Sequence, residues 1–222
     1  MGIKRALTKY NADYVFLLNN DTEIIQKNWL RDMVKILDSY PKGGIACCKL
    51  LSLDKKQQIS AAHSIPIGRS PEILAKDVVE IDWAIGTAFL IKRNVIKKIG
   101  LFDENFSPAY GEESDYCWRA RKSGYKILYN PFVSIIHYGA ATAKKFDPNY
   151  IYFIKQRNRI RNILLNYPTS WLIIRLLAEI KVILRALFAM KIYLLIKAYW
   201  ANIRNLKEIL EKRKKRTAKI LY

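Results

Sequence analysis

Three groups of side chains in this 222-residue chain have the types and spacing that chemistry requires. The run Asn19-Asn20-Asp21-Thr22 sets a carboxylate beside two carboxamides. Oxygen donors of that kind hold a hard divalent cation, Mg or Mn. The same four residues are also ordinary turn and cap chemistry, which for this segment alone is the commoner outcome. The run Glu112-Glu113-Ser114-Asp115 places three carboxylates within four residues. Like charges so close raise one another's pKa and can leave one of them poised as a general base. Acidic residues are also favourable in the first turn of any helix, and the two readings stand even. His137 ends an apolar run. A lone histidine there is more often a satisfied core residue than a ligand. His63 sits in a polar stretch with no evident partner.

The elements that must position these groups follow from pattern. Tyr14 to Leu18 is a short apolar run that ends in the Asn-Asn-Asp-Thr cluster. It reads as a buried strand with polar groups at its C-terminal end, where open α/β sheets place ligands. Trp29, Leu30, Met33, Val34 and Leu37 recur at helical spacing, with Asn28 as N-cap and Pro41 as the stop. Gly43-Gly44 reads as a turn into a strand over 45–51. Residues 52–80 read as a long variable loop. A further strand lies within 81–91, where Gly86 allows close backbone approach. A short helix over 94–99 is closed by Gly100. Glu112 opens a helix that Gly124 ends, and short strands follow at 125–129 and 133–137. From Tyr150 the pattern is helical, broken at Pro168. No internal repeat is present. The order of elements predicts α/β architecture.

Composition sets the outer bounds. Apolar residues make up 51% of the chain, enough for a sizeable core. The formal charge is +20, unevenly spread. Residues 151–222 carry 17 Lys and Arg against 3 Asp and Glu, a net of +14, which leaves +6 for residues 1–150. That asymmetry points to an anionic partner for the tail. The charge lies outside the motif-bearing region, which disfavours nucleic acid. Cys47, Cys48 and Cys117 match no zinc spacing and suit a reduced, cytosolic setting. The first nine residues contain no apolar signal segment. Residues 171–190 come nearest to a membrane span, but Arg175, Glu179, Lys181 and Arg185 interrupt them.

Taken together, the segments YVFLLNNDTEI followed by NWL, DWAIGTAFLIKR, and GLFDENFSPAYGEESDYCWRARKSGYKILYNPFVSIIHYG closely resemble family-2 glycosyltransferases. They are most similar to the bacterial and archaeal rhamnosyltransferase-like branch. The resemblance covers roughly residues 1–145. It implies a GT-A-like mixed sheet flanked by helices, a nucleotide-diphosphate sugar as donor, and usually inversion at the anomeric centre. Asp21 matches the last Asp of the family's Asp-X-Asp metal motif, with Asn19 where the first Asp often stands. Asn19, Asn20 and Asp21 are thereby the expected donor-binding segment. Glu113 matches the catalytic base, with Glu in place of the family's Asp. Glu112 matches the acid before it, and Asp115 a supporting acid. His137 matches the histidine that completes the metal site with Asp21 in some members. Trp83 matches a frequent aromatic ahead of the active-site strand, and is as readily a core tryptophan.

The resemblance also implies a nucleoside-holding strand and helix ahead of Met1. The domain is then N-terminally incomplete, and a longer product or a second chain supplies the missing half. The expected organisation is a partial catalytic domain over 1–147 and a helical, basic tail over 148–222. The tail's mixture of apolar clusters with Lys and Arg suits an anionic membrane surface. A helical pair packed on the core is the plainer alternative. The expected activity is inverting transfer to a hydroxyl of a cell-surface glycan or lipid-linked acceptor, at the cytoplasmic face of the membrane. The alternative is a truncated, non-catalytic domain that binds an acceptor or partner subunit.

Overall fold

The computed structural model describes residues 2–62, 75–139 and 146–218; His63 lies outside them. They form two compact units, Met1–Asp103 with Tyr116–Ala141, and Glu104–Asp115 with Thr142–Tyr222.

The first unit is built on a seven-stranded mixed sheet. Its strands are β1 (Tyr14–Leu18), β2 (Thr22–Ile24), β3 (Gly43–Leu51), β4 (Gln57–Gln58), β6 (Val79–Ile81), β8 (Ala88–Lys92) and β9 (Lys126–His137). The order is β1-β8-β3-β9-β2, with β4 on β3 and β6 on β9. Only β3 and β9 run parallel; the other pairings are antiparallel. Strands β5 (Ala61–Ala62) and β7 (Trp83–Ala84) form a separate two-stranded sheet.

Alternation assigns the core. Ile45, Cys47, Phe89, Ile91, Ile127 and Tyr129 point to one face, and meet Val95, Ile96, Tyr116 and Ala120. These come from α3 (Arg93–Ile99) and α4 (Glu112–Lys122). Ala46, Cys48, Ala88, Leu90 and Leu128 point to the other face, and meet Met33 and Leu37 of α2 (Trp29–Ser39). Period-2 alternation with helices on both faces is the α/β arrangement the sequence predicts. A short helix, α1 (Gly2–Lys9), precedes β1. All three cysteines are buried thiols.

The second unit is helical. It contains α5 (Pro148–Asn166), α6 (Leu172–Phe188), α7 (Ile192–Arg204) and α8 (Leu206–Ala218). Asp147 caps α5 by accepting from the Asn149 amide at 3.0 Å, with Pro148 at the first helical position. Buried Asn158 donates its side-chain amide to the carbonyls of Phe106, Ala109 and Tyr110, at 2.7–2.9 Å. That fastens the loop before α4 to α5. Phe106, Leu165 and Ile209 make a small core. Helix α4 is shared, its first turn belonging to this unit.

Several local expectations change. The stretch 52–80 is not wholly loop: β4, β5 and the start of β6 fall in its described part, and residues 63–74 lie outside the described residues. The strand expected within 81–91 is divided into β7 and β8. The strands expected at 125–129 and 133–137 are one continuous β9, interrupted by a register shift opposite Cys48 and Lys49. There Asn130 accepts from the Phe132 amide, and Gln26 bonds Phe132 O and Ser134 N, filling the break in the ladder. Asn28 precedes α2 but makes no side-chain cap.

Gly43-Gly44 is strand rather than turn. These glycines exist for close packing: a Cβ on Gly43 would lie 2.6 Å from the Leu37 carbonyl oxygen. Gly43→Ala is therefore expected to destabilise the protein by about 1–3 kcal/mol, since a backbone atom cannot swing away. Urea denaturation checks this; an unchanged midpoint would show that the α2–β3 junction yields freely.

Candidate active site

A first group of candidate residues lies in the first unit, where β1 ends and β2 begins. Thr22 Oγ1 donates to the Asn19 carbonyl at 2.6 Å, closing a tight turn between the strands. Strand β2 then pairs antiparallel with the end of β9, Thr22 opposite His137. The Tyr138 amide donates to the Asp21 carbonyl at 2.9 Å and extends the ladder by one step. Asp21 and His137, distant in sequence, are thus neighbours by strand register.

Their side chains meet: Asp21 Oδ1 lies 3.5 Å from His137 Nε2, both largely buried. Gln58 fixes the imidazole. Its Nε2 donates to the His137 carbonyl at 2.9 Å, which turns its Oε1 toward His137 Nδ1, also at 2.9 Å. Since Gln58 Oε1 can only accept, Nδ1 carries the proton. In the neutral ring the Nε2 lone pair then faces the Asp21 carboxylate. Two lone-pair donors 3.5 Å apart suit a cation bound at about 2–2.6 Å from each. Among the described residues no group of three or more His, Cys, Asp and Glu side chains gathers into a fuller site. A divalent ion held here would take its remaining ligands from water and donor phosphates.

The other expected donor-binding residues behave differently. Asn19 turns its side-chain amide toward Thr87 Oγ1 at 3.5 Å, and its backbone amide bonds the Thr87 carbonyl at 3.0 Å. Asn20 is exposed at the turn. Trp83 is half-buried against the core and pairs with Ala62.

A second group of candidate residues, in the helical unit, occupies the first turn of α4. Glu112 and Glu113 are half-buried. Burial, with the Glu113 carboxylate beside it, pushes the Glu112 carboxyl up to about 7. Glu112 Oε2 is buried without a hydrogen-bond partner among the described residues. Asp115 is wholly buried and ion-paired to Arg216 at 2.5 Å, while accepting from Asn166 at 2.8 Å. A carboxylate so enclosed supports the helix and does not meet an acceptor. Beside this turn is a cavity of about 190 Å³ lined by Tyr110, Gly111, Ser114, Lys155, Asn162 and Tyr167, among others. Lys155 Nζ lies 4.6 Å from the centre of the Tyr110 ring.

Sequence reasoning missed Gln58, Asn158 and Arg216. A two-residue strand such as β4 has no period to detect, and Arg216 sits in a run of basic residues that reads as solvated.

No family model matches the chain. It is 27% identical over 203 residues to the low-salt glycan biosynthesis hexosyltransferase Agl10 of Haloferax volcanii. That alignment covers 82% of this chain and 66% of the relative. It is 33% identical over 75 residues to a galactofuranosyl glycosyltransferase of Leishmania donovani, covering 30% of this chain and 17% of the relative. The chain thus spans just under two thirds of the first relative and a small part of the second. Among solved structures, the chain is similar to GalNAc-T7 with UDP, GalNAc and Mn2+, at a TM-score of 0.49 and 15% identity. That likeness covers 72% of this chain and 34% of the other. A197 from STIV matches at a TM-score of 0.42 and 14% identity, covering 61% and 62%. The two structural likenesses are too distant to carry function. Both relatives are named as sugar transferases, the reaction class that the motif resemblance implies.

The raised pKa of Glu112 has a consequence for stability. Between about 4.5, its ordinary value, and about 7, the folded protein holds a proton that the unfolded chain has released. Its contribution to stability is therefore full below 4.5 and lost as pH rises through 7. Glu112→Gln stays neutral throughout. Its stability relative to wild type is expected to rise across that window, by on the order of 1–2 kcal/mol after solvent screening. Urea titrations at the two ends of the window read the difference; a gap independent of pH would contradict the assignment.

Proposed function

We propose that this chain carries the catalytic residues of an inverting glycosyltransferase of the GT-A type. The donor is a nucleotide-diphosphate sugar, and the acceptor a hydroxyl of a cell-surface glycan or lipid-linked saccharide. The observation that carries this reading is the Asp21–His137 pair, with its imidazole set by Gln58 to face the carboxylate through Nε2. The rhamnosyltransferase-like branch is proposed on the motif resemblance alone.

The chemistry assigns each group a task. A bound Mg or Mn ion supplies Lewis-acid neutralisation of the charge that grows on a departing diphosphate. Asp21 and His137 would hold that ion, and Gln58 keeps His137 in the tautomer that can do so. Glu113 accepts the proton of the acceptor hydroxyl as that oxygen attacks the anomeric carbon from the face opposite the diphosphate. The bond from that carbon to the diphosphate oxygen breaks, and its electron pair leaves with the nucleotide. One displacement inverts the centre, so no covalent nucleophile is required. Glu112 stands beside Glu113 in the same turn, where burial and the Glu113 carboxylate favour its protonated form. Asp115 keeps the turn in place through Arg216 and Asn166.

In a form of the protein that transfers sugar, Glu113→Gln is expected to lower kcat by about 10²–10⁴-fold while leaving donor KM within a few-fold. Steady-state kinetics on a panel of nucleotide-diphosphate sugars measures both. Wild-type turnover in Glu113→Gln, with loss in Glu112→Gln, would transfer the base role to Glu112. Asp21→Ala is expected to raise the divalent ion concentration needed for half-maximal rate; an unchanged requirement would remove Asp21 from the ion site.

A further inference from the structure

The helices α6 and α7 expose apolar residues where a solvated surface would carry polar ones. On α6, Ile180, Ile183, Leu184 and Leu187 recur at three- and four-residue spacing, and all are exposed. On α7, Tyr193, Ile196, Trp200 and Ile203 form a second exposed ridge, each 57–61% accessible. The opposite side of α7 is already used: Leu194, Leu195, Ala198 and Asn202 are buried. At the turn between the helices, Phe188 and Met190 stand 89% and 85% exposed. Side chains of these sizes together expose on the order of 1,000 Å², beyond the 300–600 Å² of the largest patch on a typical monomer.

Charge identifies what covers this surface. Over residues 171–206 there are six Lys and Arg and one acid, Glu179, a net of +5. Glu179 faces inward, held by Arg159 at 2.8 Å and by the Tyr199 hydroxyl. Lys181, Arg185, Lys197 and Arg204 stand exposed among the apolar ridges. A second copy of the chain would set one cationic face against another. Nucleic acid would find stacking platforms at Phe188, Tyr193 and Trp200, but would leave the aliphatic Ile180, Ile183, Leu184, Leu187 and Ile196 unmatched. An anionic bilayer matches both features, with acyl chains for the ridges and headgroups for the cations. No helix among the described residues is long and apolar enough to cross a membrane. Burial to about 5–10 Å is what interfacial helices achieve.

We propose that α6, its turn and α7 form a monotopic wedge that seats in the interface of an anionic lipid bilayer. Phe188 and Met190 enter deepest, and the long Lys and Arg side chains reach back to the headgroups. The wedge belongs wholly to the helical unit, so it is independent of the transfer chemistry and tested without it.

The test is sedimentation of the full chain with vesicles of phosphatidylcholine, alone or mixed with phosphatidylglycerol. Binding is expected to the mixed vesicles, weakened but not abolished at about 0.5 M salt. Replacing Phe188 and Met190 together by Ser is expected to lower vesicle affinity tenfold or more and to remove the salt-resistant part. Changing Lys181, Arg185 and Arg204 to Gln should instead remove the salt-sensitive part. Both variants alter exposed positions, and far-ultraviolet circular dichroism confirms that each stays folded. Three results would overturn the proposal: no binding to either vesicle, unchanged binding by the Ser variant, or tighter binding to single-stranded RNA than to lipid. A dimer that the same Ser substitutions split, with vesicles ignored, would assign the surface to a second copy.

Discussion

The antiparallel pairing of β2 with the end of β9 is the constraint on which the candidate ion site depends. It spans three residues, and it alone sets Thr22 opposite His137 and Asp21 beside it. Side chains alternate along a strand, so a slip of one residue would send the imidazole to the other face of the sheet. So short a pairing needs external fixing. The Tyr138 hydroxyl bonds Glu23, and Gln26 bridges the irregular step in β9 just upstream. Gln58, from β4, then closes on both the backbone and the ring of His137. These bonds hold a pair of donors in position before any ligand arrives, the condition under which electrostatic catalysis is effective.

A second fixed point lies in the helical unit. Asp115 is fully buried, and its charge is met by Arg216 from the last turns of α8. Removing one partner from such a pair strands the other charge in the interior. The first turn of α4, which carries Glu112 and Glu113, is therefore tied to a helix a hundred residues away in sequence. Arg161 bonds Glu208, and Arg213 bonds the Leu164 carbonyl. Part of the tail's positive charge is thus internal structure. On α6 and α7, by contrast, cations and apolar ridges are exposed together.

The sequence made the site residues legible to different degrees. The apolar run 14–18 and its polar terminus announced β1 and the turn that follows, because a buried strand and a tight turn both act through neighbouring residues. The acids at 112–115 announced a helix start for the same reason. The meeting of Asp21 with His137 followed only from resemblance, since register is not written locally. Gln58 was invisible: its role comes from a two-residue strand in a polar stretch. Gly43 and Gly44 are ambiguous in sequence because glycine serves turns and close packing alike, and only the Leu37 carbonyl and the Val95 and Tyr125 side chains reveal which. The single strand 126–137 looked like two because Pro131 interrupts the ladder.

The chain has two histidines, so the ion site can be read directly by imidazole NMR. The decisive measurement is titration with Mn2+ while following the ring resonances of His63 and His137. His137 is expected to be the Nδ1–H tautomer, with resonances that broaden at ion concentrations that leave His63 sharp, and Asp21→Ala is expected to remove this selectivity. Equal broadening of both rings, or a His137 that carries its proton on Nε2 and ignores the ion, would contradict it.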